Sequence, residues 1–368
     1  MHLIVTSQQR LRALYGSGGA QQVWEAIQRL MAARAARSVP TRLLAIEDGL
    51  PEYGVAGAAV EPEAIAAQIA QVAQSLQHAD RQLASVLIVG GPDIVPFYEA
   101  PNPTPYDGDE VVPGDWFYGA CNPPALVCEW PVGRIPGAAG ADPWLLLQLL
   151  EYAAGHGQVE AQRPFKAFGY TTQVWRRAAA RVYAEIDGTE ALLVSPPVVA
   201  ETLERARIDR TQRIYCNLHG VRDGPLWYGQ PSDRSTLVAA LRPSDLDGLD
   251  LRGAVVVSEA CYGAAIAGRD VHTSLALAFL ARGAAGFLGA TAISYGPPAP
   301  PSGEADLIAL HVLRALRAPG TTLGAAFVAA RAGMLRDTLV RQATLDDDDE
   351  KTLLEFVLYG DPTLVVSW

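Results

Sequence analysis

No stretch of this 368-residue chain approaches eighteen consecutive apolar residues, so no membrane-spanning helix is expected. Cysteine is scarce. Cys121, Cys128, Cys216 and Cys261 show no zinc-ligand spacing and no framework of pairs, which points to thiols in a reducing compartment. A disulfide between Cys121 and Cys128 stays open. Positive charge is also short: 29 Lys and Arg stand against 40 Asp and Glu, for a net charge of −11 and a pI near 5.1. That argues against nucleic acid as the main partner, because phosphate binding needs clustered cations. The opening apolar stretch, Met1 to Ser7, is too short for a signal peptide and has no basic flank. A cytoplasmic protein without membrane contact is the expectation. What is abundant is apolar residues, at 49%, enough for a large core in two domains or one double unit.

The most informative stretch is Ala254-Val-Val-Val-Ser-Glu-Ala-Cys261-Tyr-Gly263. Its run of β-branched residues suits a strand covered on both faces in a parallel sheet. In open α/β sheets ligands bind beyond the carboxyl ends of the strands, so Cys261 is a candidate nucleophile. A second apolar run, Arg213 to Leu218, ends on His219-Gly220. The intervening length is enough for a loop and a crossover helix between neighbouring parallel strands, which would put thiol and imidazole on one rim. Imidazole can take the thiol proton and return it to a leaving amine. The amides of Gly220 and Cys261 could hold an oxyanion. Either residue alone reads more simply as a core cysteine or a loop histidine; the pairing carries the reading.

Along the chain, strands and helices alternate. Leu3–Thr6, Thr41–Ile46 and Ser85–Val89 read as strands, with helices over Gln21–Arg37 and Pro62–Ala79, an order that implies a parallel sheet. Gly90-Gly91 lacks the rest of a nucleotide-binding fingerprint. Residues 92–114 hold six prolines and read as an irregular loop, with Asp107, Asp109 and Glu110 as a solvated acidic patch. Glu129–Ile135 reads as a strand and Pro143–His156 as a helix closing the first half. The second half repeats the pattern: strand Phe165–Thr171, helix Trp175–Glu185, the His219 strand, a helix near Ser235–Leu241, the Cys261 strand, helix Ser274–Arg282 and strand Ala285–Ala290. Helices over 304–317 and 322–341 precede Asp346 to Glu350, which reads as a flexible, solvated connector.

These residues carry a resemblance. Asn217-Leu-His219-Gly220 with Trp227 and Gly229, followed by Ser258-Glu-Ala-Cys261-Tyr-Gly263, resembles the His-Gly and Ala-Cys strand ends of clan CD cysteine peptidases. Further stretches resemble the gingipain family, peptidase family C25, within that clan. They are Leu87 to Gly91, Gly114 to Gly119, Pro131 to Pro136, Ser294 to Pro298 and Tyr359-Gly-Asp361-Pro-Thr-Leu364. The similarity runs in order along the whole chain. It implies an α/β fold of two subdomains with mainly parallel sheets, residues 1–160 and a caspase-like catalytic part, 161–368. It also implies a cysteine endopeptidase acting on peptide or protein substrates, with Cys261 as nucleophile, His219 as base and Gly220 as oxyanion contact. The loop Thr171 to Arg177 lacks the acid that gives gingipains their arginine preference. Glu259, two residues before Cys261 and so on the same face of a strand, could serve instead and favour Arg, Lys or Asn at P1; alternatively it pairs with Arg222. Tyr295 and Trp227 are candidate pocket walls or ordinary rim packing. Asp361 reads as a turn former. No cofactor is expected, although calcium could draw on Asp107 to Asp109 or Asp346 to Asp349. Two rival readings are a protease switched on by a regulatory protein partner and a non-catalytic scaffold of the same fold.

Overall fold

The computed structural model describes residues 1–123, 125–155, 165–186 and 188–366. In chain order its elements are β1 (His2–Thr6), α1 (Gln8–Ala36), β2 (Thr41–Ala45), α2 (Pro62–Gln77), β3 (Ser85–Val89), β4 (Tyr98–Pro101), β5 (Val111–Gly114), β6 (Val132–Ile135) and α3 (Trp144–Gly155). There follow β7 (Ala167–Thr172), α4 (Arg176–Tyr183), β8 (Leu193–Ser195), β9 (Arg213–Asn217), β10 (Trp227–Gly229), β11 (Val238–Leu241), β12 (Val255–Ser258) and α5 (Leu275–Ala281). Last come β13 (Gly286–Ala290), α6 (Glu304–Ala315), α7 (Leu323–Gln342), α8 (Asp347–Glu355) and β14 (Phe356–Gly360).

Ten strands form one sheet in the order β2-β1-β3-β6-β14-β13-β12-β9-β7-β8. The four on the left come from residues up to 135 and are mutually parallel; β13, β12, β9, β7 and β8 are likewise parallel. β14 joins the two sets, antiparallel to β13 and touching β6 through the parallel pair Tyr359–Arg134, so the sets run in opposed directions. The expected subdomain boundary between 160 and 161, and His156 at the expected end of α3, lie outside the described residues.

The central strands behave as their composition demands. Every residue of β12 is buried, Val256 in a core on one face and Val255 and Val257 in a second core on the other. Helices α1 and α3 pack together over the first core, while α4, α6 and α7 pack over the second. Apolar side chains above and below remove the strand from water on both sides, which is why no polar alternation is needed.

Four local expectations are corrected. α1 begins at Gln8, capped by Ser7, and continues past a non-helical Gly16 (φ 68°); the Gly-Ser-Gly-Gly run at 16–19 concealed this first part. Val238–Leu241 is a strand, not a helix, because it pairs with β10 in a hairpin, so no α-helix crosses from β9 to β12. Residues 98–114 contain the β4–β5 hairpin rather than irregular chain throughout. The acidic run is no solvated connector: Asp346 caps α8 in a reciprocal capping box with Asp349, whose side chain is fully buried.

Candidate active site

β9 and β12 are neighbours, in register from Arg213–Val255 to Cys216–Ser258. Three residues further on each strand stand His219 and Cys261. Gly220 lies directly on the turn: a Cβ there would fall 1.8 Å from the Cys261 carbonyl oxygen, so no larger residue fits. The chain then turns sharply, with Tyr262 at φ 55°, a left-handed conformation that costs a non-glycine residue about 1–2 kcal/mol. Bonds from the Tyr262 amide to the Ala292 carbonyl (2.8 Å) and from the Gly263 amide to the Ala260 carbonyl (2.9 Å) hold the turn. Neither the Gly220 nor the Cys261 amide donates to a backbone carbonyl among the described residues.

The thiol is fixed by Ser294. Cys261 Sγ donates to the Ser294 carbonyl and accepts from its amide, each at 3.4 Å. Burial pushes the thiol up to about 11, so the resting group is neutral. The His219 ring lies 4.2 Å from the Trp175 ring and its Nε2 is 3.1 Å from Gln230 Oε1. Burial lowers the imidazole below its ordinary 6.5, and the Gln230 bond offsets part of that. Gln230 is itself anchored to β7, its amide donating to Thr172 Oγ1 at 2.6 Å and its carbonyl accepting from that hydroxyl at 3.0 Å.

Beside Cys261 opens a pocket lined by Trp175, Asn217, Glu259, Ser294, Tyr295, Gly296, Pro297 and Ala305. Glu259 is buried at its base, accepting from Tyr215 Oη (2.9 Å) and Asn217 Nδ2 (2.6 Å). It does not meet Arg222, which bonds Asp109 instead. Behind Glu259 stands Asp306, fully buried in the first turn of α6, its two carboxyl oxygens without a hydrogen-bond donor among the described residues and its carboxyl interacting with that of Glu259. Desolvation, reinforced by the other carboxyl, raises Glu259 well above the carboxylate range, and desolvation lifts Asp306 to about 6. Two interacting acids held out of water resist ionising together, so one of them keeps its proton.

Tyr295 and Glu259 therefore lie in the pocket, whereas Trp227 does not. It is buried in the first core, its ring 6.1 Å from Phe279 and 6.4 Å from Phe287. Trp175, Gln230 and Asp306 were missed. Asp306 carried a faint signal, an acid opening a helix just after the proline-rich loop; Gln230 carried none. All four cysteines are free, so no disulfide joins Cys121 and Cys128. Asp361 is buried, accepts from the Thr363 amide and hydroxyl, and pairs with Arg34 at 2.6 Å.

The same overall fold occurs in two solved structures of the Porphyromonas gingivalis protease RgpB. One is the complex of its pro- and mature domains, the other the Arg-specific cysteine proteinase gingipain R. Each is 14% identical with a TM-score of 0.66; the match covers 99% of this chain and 79% and 78% of those chains respectively. A third, described as the structure of a protease, gives a TM-score of 0.68 at 12% identity over 99% of this chain and 78% of its own. No curated protein matches the chain. The class defined is that of clan CD cysteine endopeptidases. Residues 2–142 and 227–367 match the model of peptidase family C25, and the chain belongs to that family. The matched segments include Cys261 and leave out residues 143–226, and with them His219.

Proposed function

We propose that the protein hydrolyses peptide bonds through Cys261 and His219 and prefers a basic residue at P1. The observation that carries the reading is the rim itself: a thiol turn and an imidazole beyond the ends of adjacent parallel strands, with two amides beside the thiol that have no backbone carbonyl partner among the described residues. With Nε2–H donated to Gln230, His219 keeps Nδ1 as its basic nitrogen. It takes the thiol proton as sulfur bonds to the scissile carbonyl carbon. The Gly220 and Cys261 amides receive the oxyanion. Collapse breaks the C–N bond, and the imidazolium gives its proton to the departing amine. Water, activated by the same imidazole, then releases the carboxylic acid and restores the thiol.

P1 preference rests on the Glu259–Asp306 pair. A cation entering the pocket would favour release of the retained proton to solvent and so meet buried negative charge, where a neutral or acidic side chain would meet none or repulsion. The same pair could instead bond an Asn amide; relative turnover of Arg, Lys and Asn substrates decides between them. The expected outcome with a fluorogenic peptide library is cleavage after Arg or Lys by the native protein and none by Cys261→Ala. Equal turnover by the two proteins would contradict the proposal. Silence toward every peptide, reversed by an added protein, would instead favour a partner-controlled protease. Cys261 left unlabelled by thiol reagents would favour the scaffold reading.

A further inference from the structure

Lys351 is one of two lysines in the chain, and its side chain is fully buried. It lies between two carboxylates of the β4–β5 loop, bonding Asp107 Oδ2 and, at 2.7 Å, Asp109 Oδ2. Both acids reach onward to segments that border the thiol. Asp109 accepts from Tyr262 Oη (2.6 Å), the Ile293 amide (2.8 Å) and Arg222 Nη2 (2.7 Å), and Asp107 accepts from Tyr295 Oη (2.9 Å). Tyr262 follows Cys261, Ile293 precedes the residue that bonds its sulfur, Arg222 follows His219-Gly220, and Tyr295 walls the pocket. One loop from the first half of the chain thus grips every segment of the rim except the Trp175 and Gln230 edge.

We infer that Asp109, held by Lys351, is a positioning residue that fixes the Cys261 turn against the Ser294 segment for the proposed thiol chemistry. The inference rests on the reading of Cys261 as nucleophile. Burial alone would push Asp107 and Asp109 up, but the Lys351 ammonium and the donated bonds more than offset it, so both are held ionised below the usual carboxylate range. A compact ammonium with three donors can bridge two carboxylates in a space that a planar guanidinium would not share in the same way. The left-handed Tyr262 needs such an anchor, since its backbone does not favour the turn.

The test compares native protein, Asp109→Asn, Lys351→Met and Asp107→Asn/Lys351→Met for steady-state kinetics, thermal midpoint and hydrogen exchange. Asp109→Asn should lower kcat about 100-fold, the scale of a small misplacement of reacting groups, with KM changed less than threefold. Exchange at residues 261–264 and 291–295 should rise at least tenfold while β12 stays protected. Lys351→Met leaves two buried carboxylates without their cation, and the double variant, which keeps Asp109 with Arg222, should recover at least tenfold of the lost activity. Unchanged kcat in Asp109→Asn, or a loss that follows the fraction of folded protein, would overturn the inference. So would unchanged exchange in both segments. Failure of the nucleophile reading is seen separately, as activity surviving in Cys261→Ala, and the exchange measurement tests the clamp even then.

Discussion

Burial drives Cys261 and His219 in opposite directions, the thiol up to about 11 and the imidazole below 6.5. At neutral pH both groups are then uncharged, so in the proposed mechanism proton transfer should accompany attack instead of preceding it. Loss of kcat/KM on acidification should have its midpoint below 6.5, because only protonated His219 is incompetent. Alkylation of Cys261 by iodoacetamide should keep rising through pH 9; a rate already level at pH 6 would mean a preformed thiolate–imidazolium pair. Gln230 raises His219, so Gln230→Ala should move the acid midpoint lower still and reduce kcat about tenfold, within the range of acid–base effects. Asp306 has its own signature. A carboxyl raised to about 6 contributes stability that is whole below its unfolded value of about 3.8 and is lost as pH rises through 6. Asp306→Asn should therefore stabilise the fold at pH 8 relative to pH 5, by about 1–1.5 kcal/mol in urea unfolding, since part of that contribution is already lost at pH 5. It should at the same time erase the preference for basic P1 residues.

Among the elements, β12 and the turn after it decide the site, and Gly220 is the contact that permits it. Gly220→Ala would drive a methyl into the Cys261 carbonyl, so turnover should fall at least 100-fold even where circular dichroism shows a native fold. β12 and β9 were legible because strands covered on both faces need unbroken apolar runs, and the turn residues after them stand out against such runs. β11 was not legible. Val-Ala-Ala-Leu has no period that separates helix from strand, and its pairing with Trp227–Gly229 is a contact the local sequence does not carry. α8 was misread for a related reason. Four consecutive aspartates look solvated until one caps the helix, another buries against Thr338 and Gln342, and Lys351 turns inward to meet Asp107 and Asp109. Their partners lie more than 200 residues away in the case of Lys351, beyond any local pattern. Asn217, by contrast, shares a strand face with His219 by simple alternation and could have been named with Glu259.

At the scale of the molecule, β14 is the seam, pairing with β13 on one side and β6 on the other. The buried Arg34–Asp361 pair, both side chains 1% exposed, fastens α1 to the residue that follows β14. Removing one partner of a buried pair leaves a charge uncompensated, so Asp361→Asn should cost about 3–5 kcal/mol in chemical unfolding. It should leave the Cys261 alkylation profile unchanged in the protein that remains folded. The opposed direction of the two sets of strands was not legible, since a composition that makes each strand apolar says nothing of which way its neighbour runs. The central claim, a thioacyl intermediate on Cys261 formed with His219, is tested most directly by mass spectrometry of protein quenched during turnover of an arginyl ester. The account predicts a single acyl adduct on the peptide containing Cys261, lost in Cys261→Ala and reduced at least 100-fold in His219→Ala. An adduct on another residue, or undiminished turnover by Cys261→Ala with no adduct, would contradict it.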